Sequence, residues 1–179
     1  MDTEKTLPEY AGVMQNCREV FVKKMTDYGA AWRIMRTTSV TDQIFIKARR
    51  IRSIEMKGVM KIAEDCRAEY VGIINYCIMG LIQLEHGATD TNTLTCAEII
   101  ALYDRYFAQT RDLMCAKNHD YDEAWRTMRI SSMTDLILQK LLRIKEIEDN
   151  NGQTLISEGI GANYMDIINY AVFALIRLN

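Results

Sequence analysis

MTDYGAAWRIMRTTSVTDQI (residues 25–44) and NHDYDEAWRTMRISSMTDLI (residues 118–137) stand 93 positions apart in one chain. The correspondence extends well beyond them. Asp27–Glu55 laid on Asp120–Glu148 keeps 16 of 29 residues identical, and Glu64–Leu84 laid on Glu158–Leu178, shifted by 94, keeps 10 of 21. Agreement of that density marks a duplication. The one extra residue falls near DNNGQT (149–154), where a loop absorbs it. A polar stretch, HGATDTNTL (86–94), joins the halves, so the chain divides into repeat one (1–85), a linker (86–94) and repeat two (95–179).

Nine glycines and a single proline, Pro8, predict long helices. Each repeat reads as three main ones. The first opens at a capping box, Thr6 with Glu9 or Thr95 with Glu98, and runs to about Lys24 or Lys117. A short turn follows, carrying AAWRIMR or EAWRTMR, and then SVTD or SMTD, which reads as a helix cap with an acid in its first turn. The second helix covers Thr41–Lys57 and Thr134–Asp149; the third covers Ile62–Glu85 and Leu155–Leu178. No strand alternation of any length is visible. The predicted class is all-α. A unit of three to four helices, occurring twice, packs as a pseudo-twofold bundle because each half alone would expose apolar faces.

Composition narrows the function. Apolar residues make up 49% of the 179, enough for a sizeable core, and the net charge of -2 carries no basic footprint for duplex nucleic acid. The five cysteines (17, 66, 77, 96, 115) form no CxxC and mostly sit among apolar residues, as buried free thiols of a reducing compartment do. The N-terminus is polar and lacks a signal-peptide core. The longest uncharged run, Tyr70–Leu84, has 15 residues, short of the roughly 20 that cross a bilayer. These features predict a cytoplasmic protein with no membrane contact.

Several repeated residues exceed what a core needs. In TDQIFIKARRIRSIE and TDLILQKLLRIKEIE, Lys47, Arg50 and Glu55 match Lys140, Arg143 and Glu148 along the border of an isoleucine stripe. They read either as an ion-pair network or as a cationic wall facing carboxylates. Trp32, Arg33 and Arg36 match Trp125, Arg126 and Arg129. They either plug the helix junction or offer an aromatic face and guanidinium forks to a nucleotide. In the third helix Glu64 matches Glu158, Glu69 stands where Asn163 does, and Gly72 where Asp166 does. An acid pair three residues apart on that helix would suit Mg²⁺, but each repeat keeps only one member. Asn75 and Asn169, a turn further on, read equally as base-binding amides or as polar residues that specify a core. The chain has no Gly-rich phosphate loop, GxSxG or HExxH. Its two histidines, His86 and His119, form no Glu-x-x-His pair, and Cys115 near His119 has no counterpart pair in repeat one.

The string DYG-x-AW, then K-x-x-R, then DIINYA, in that order, resembles the nucleotide-modification-associated domain, over most of the chain and twice. That domain is in turn similar to the all-α nucleoside triphosphate pyrophosphatases of the MazG and dimeric dUTPase group. The resemblance implies a Mg²⁺-dependent (or Mn²⁺-dependent) enzyme cleaving a nucleoside triphosphate to monophosphate and pyrophosphate. A degenerate relative would bind a nucleotide without cleaving it. Carried onto this chain, Glu148, Glu158 and Asp166 would hold metal in repeat two, and Glu55, Glu64 and Glu69 in repeat one. Lys140 with Arg143, or Lys47 with Arg50, would hold phosphates. A homodimer is an admissible assembly. The paired EE-x-x-E of those enzymes is missing, with only KEIED (145–149) as a partial echo.

Overall fold

The computed structural model describes residues 3–58, 62–155 and 158–179, the side chains of 3–4 and 62–65 excepted. Six α-helices account for almost all of them: α1 (Thr3–Tyr28), α2 (Thr37–Lys57), α3 (Ile62–His86), α4 (Cys96–Tyr121), α5 (Ile130–Asp149) and α6 (Ile160–Leu178). Short 3₁₀ turns, Ala31–Ile34 and Ala124–Thr127, follow α1 and α4. There is no strand among the described residues. Among the described residues no helix is long and apolar enough to cross a membrane.

The two repeats interlock. α2, α3, α5 and α6 form a central four-helix bundle, while α1 and α4 each pack against both α3 and α6. Ile44, Ile51, Ile73, Ile74 and Ile78 meet Ile137, Ile144, Ile167 and Ile168 in one core. Burying each of these side chains stabilises the fold by roughly 2 kcal/mol. The predicted isoleucine stripe is therefore the seam between repeats.

Polar bonds cross the pseudo-twofold axis in matched pairs. The Tyr10 hydroxyl donates to Asn169 Oδ1 at 2.7 Å, and Tyr103 donates to Asn75 Oδ1 at 2.7 Å. Each asparagine returns its amide to a first helix: Asn75 to the Cys17 carbonyl and Asn169 to the Thr110 carbonyl, at 3.1 and 3.2 Å. Thr41 meets the Tyr164 hydroxyl at 2.7 Å, and Thr134 meets that of Tyr70 at 2.8 Å. Burial pushes the ionisation of all four tyrosines upward, so they stay neutral.

These bonds correct two local expectations. SVTD and SMTD are not caps. α2 and α5 start four residues earlier, with Arg36 and Arg129 at the cap position and no side-chain cap bond. Thr41 and Thr134 lie one turn inside, turned toward the other repeat. Thr95 does cap α4, accepting from the Glu98 amide at 3.1 Å. Thr6 does not start α1, which begins at Thr3; its hydroxyl instead bonds Glu123 across the molecule. α6 starts at Ile160 rather than Leu155, after the loop that carries the extra residue. Cys17, Cys77, Cys96 and Cys115 are free thiols, and burial pushes the Cys17 thiol up to about 12.

Candidate functional site

The Trp-Arg string closes the helix junctions. Arg33 is 4% exposed. Its guanidinium donates to the Gln83 side chain, to the Gly87 carbonyl at 2.9 Å and to Asn92 Oδ1 at 3.3 Å. Gln83 donates back to the carbonyls of Arg33 and Met35. Arg126 makes the corresponding clamp with different partners: Glu123 at 2.9 Å, Thr6 at 2.7 Å and Glu9 at 2.8 Å. Trp125 stacks on Phe173 with centroids 4.3 Å apart, and Trp32 lies against Phe21. Arg36 and Arg129 are exposed at the starts of α2 and α5. None of Trp32, Arg36, Trp125 or Arg129 lines the clefts described below.

Glu55 and Glu148 sit at the seam. Glu148 accepts from Thr41 at 3.0 Å, and Glu55 is hydrogen-bonded by Thr134. Both are half-buried, and burial raises both carboxyls above the ordinary range against the lowering effect of those bonds.

The remaining predicted residues fall into two places related by the duplication. In repeat two, the carboxylate of Asp166 on α6 is 4% exposed. It receives Lys117 from α4 at 2.5 Å and Lys140 from α5 at 3.0 Å. One carboxylate thus straps three helices together. Burial alone would lower the Lys117 ammonium; the bond to Asp166, with Glu158 beyond, holds it above its usual value. Beside the strap, Lys140, Arg143, Glu146, Glu158 and Asn163 line an opening of about 610 Å³. Asn163 turns its amide to the Gly159 carbonyl at 2.8 Å.

In repeat one the same address holds Gly72. A glycine inside a helix costs about 1 kcal/mol against alanine, so its presence asks for a reason. A Cβ there would meet Lys47 Cε at 2.9 Å. Lys47 lies across the bare α3 backbone, 5.8 Å from the Tyr76 ring centroid, with Glu69 at 3.5 Å. Arg50 also binds Glu69. Without a carboxylate at 72, no strap forms to α1. An opening of about 470 Å³ remains, walled by Asn16, Lys24, Lys47, Arg67, Asn75 and Tyr76 among others, with no acid in its lining. The side chain of Glu64 lies outside the described residues.

Mg²⁺ needs several oxygens around one point. Among the described residues no three of His, Cys, Asp and Glu come together in that way. Asp166 is held by two lysines, Glu148 by a threonine of the other repeat, and Glu158 stands exposed in the opening beside the strap. In this arrangement Glu148, Glu158 and Asp166 do not fit a shared metal site. In the sequence Lys24 and Lys117 read only as helix ends, and Arg67 and Tyr76 carry no functional reading. Lys24 and Lys117 are themselves a match at the shift of 93, three residues before the aligned window, and that signal was available.

Residues 24–84 and 117–178 each match the family model described as nucleotide modification associated domain 1. No curated protein and no solved structure matches the chain.

Proposed function

We infer that this chain, which belongs to the nucleotide modification associated domain 1 family, binds a nucleotide by its phosphates in the cleft of repeat one. The observation that carries this reading is that opening, with Lys24 on α1, Lys47 on α2 and Arg67 on α3 in a lining free of carboxylates. Ammonium groups act as point charges on phosphate oxygens, and a guanidinium adds a planar fork. The half-buried Tyr76 ring supplies a face on which a base can stack. The volume of about 470 Å³ lies in the range of small-molecule sites. Nucleotide binding without turnover is the function these residues support best.

Mg²⁺-dependent pyrophosphohydrolysis is the second reading. Glu158 beside Lys140 and Arg143 favours it, as does the resemblance to the all-α pyrophosphatases. It would require Asp166 to leave Lys117 and Lys140. One experiment separates the two. The purified protein is titrated with each common nucleoside and deoxynucleoside triphosphate in chelator, then incubated with Mg²⁺ or Mn²⁺ while pyrophosphate and phosphate are measured separately. Saturable binding in chelator without pyrophosphate release is the expected result. Release of pyrophosphate that Glu158→Gln abolishes would overturn it in favour of the hydrolase.

A further inference from the structure

We propose that repeat two contains a second, latent phosphate site, and that the carboxylate of Asp166 sits where a phosphate oxygen binds in repeat one; this rests on the reading that the first cleft binds phosphate. Lys24 and Lys47 correspond to Lys117 and Lys140 at one shift, on corresponding helices. The two settings therefore share this lysine pair and differ at the third helix, where Gly72 stands against Asp166, Glu69 against Asn163 and Arg67 against Gly161. In repeat two an anionic oxygen pair already satisfies both ammonium groups, at 2.5 and 3.0 Å, in a buried position. Both are charge-assisted contacts of the kind a phosphate oxygen accepts from an ammonium group. In repeat one the only acid within reach of Lys47 is Glu69 among the described residues, at 3.5 Å and a turn earlier on α3. Glu69 is not paired with Lys24, so the opening stays a cleft.

Asp166 is then a built-in competitor. It gives this repeat its strap between α4, α5 and α6 and denies the seat to a ligand. The opposite assignment is that Lys117–Asp166–Lys140 is an ion-pair cluster with no ligand counterpart. In that case its removal costs stability and creates no site.

Calorimetric titration with inorganic pyrophosphate in chelator distinguishes them. The wild type is expected to bind at one site per chain. Asp166→Gly, which copies the repeat-one residue, is expected to bind at two, and adding Lys117→Met to it returns the count to one. Gly72→Asp is expected to weaken binding at least about tenfold, because Lys47, a flexible side chain, swings aside and pairs with the new carboxylate. Folding of each variant is checked by its helical circular dichroism. An Asp166→Gly protein that folds and gains no site overturns the proposal while leaving the repeat-one cleft intact. A silent wild type with a binding Asp166→Gly variant keeps the latent site of repeat two but overturns both the function assigned to repeat one and the equivalence of the two sites. If Asp166→Gly fails to fold, Gly72→Asp decides: retained wild-type affinity overturns the proposal.

Discussion

Lys24 and Lys47 stand around an open cleft; Lys117 and Lys140, at the same addresses in the other repeat, close on Asp166. The helices and the order of residues are shared, and the backbone elements that carry the lysines correspond one to one. What differs lies on the third helix, where Arg67, Glu69 and Gly72 stand against Gly161, Asn163 and Asp166. A carboxylate at the last of these positions turns two cations into a strap; with a glycine, Lys47 turns to Glu69 and is not joined to Lys24. In a duplicated helical fold, then, architecture and binding draw on the same lysines, and the neutralising partner decides between them. The junction arginines show the same division. Arg33 is held by an amide, a carbonyl and a neutral side chain, whereas Arg126 is held by two carboxylates and a hydroxyl.

That second contrast gives the largest expected effect. Arg33→Ala leaves the buried Gln83 amide without its donor and opens a gap beneath the α3 end, so a loss of about 2–4 kcal/mol in denaturant stability is expected. Arg126→Ala removes charge-assisted bonds that are 25% exposed on the arginine side, and about 1.5–3 kcal/mol is expected at low salt. Molar salt should shrink the Arg126 penalty and leave that of Arg33 nearly unchanged, since screening acts on charged partners. Equal salt responses would break the distinction between the two clamps.

The bundle was legible because period-3.6 patterning survives duplication: Ile44, Ile51, Ile137 and Ile144 announce a seam whatever their partners are. The site was legible only in part. Thr41 and Thr134 have the local signature of a cap, yet Tyr164 and Tyr70, 123 and 64 residues away, claim their hydroxyls. Thr6 reads as a capping residue until Glu123 appears 117 positions later. Glu55 and Glu148 look like metal ligands on a helix face, but the face they occupy belongs to the other repeat. Local spacing reports which face a side chain shares; it does not report what the chain brings opposite. The Gly72/Asp166 exchange was visible in the alignment, and its meaning needed Lys24 and Lys117 to be seen across from it.

The turns after α1 and α4 sharpen the comparison at smaller magnitude. Repeat one makes its turn with Gly29 at φ 63°, and repeat two with Asp122 at φ 49° followed by Glu123 at φ 56°. Left-handed backbone suits glycine, is tolerated by aspartate and disfavours other residues. The Cβ position at Gly29 is open. Gly29→Ala should therefore cost about 1 kcal/mol from backbone strain alone, and Gly29→Asp less, because the second repeat closes the same turn with that residue. A larger cost for aspartate than for alanine in chemical denaturation would show that the two turns are not interchangeable.

The smallest effect concerns the seam acids, where the repeats behave alike. Burial raises Glu55 and Glu148 above their unfolded value of 4.5; Thr134 and Thr41 oppose the rise, as do Arg52 and Lys145, while Asp135 on one side and Asp42 and Asp149 on the other add to it. A carboxyl whose folded value is raised favours the fold in its protonated form. Its contribution is complete below pH 4.5 and disappears as pH climbs through the raised value, so at neutral pH each ionised glutamate opposes folding. Glutamine keeps an acceptor for the threonine hydroxyl and carries no charge. Glu55→Gln and Glu148→Gln should thus stabilise the protein at pH 7, each by about 0.5 kcal/mol after allowing for solvent screening of half-buried groups, and should match the wild type near pH 4. Thermal melts across that range test both. If only one substitution stabilises, the pseudo-twofold axis relates the backbones of the seam but not its electrostatics, and the asymmetry set by Gly72 and Asp166 reaches further into the molecule than the clefts.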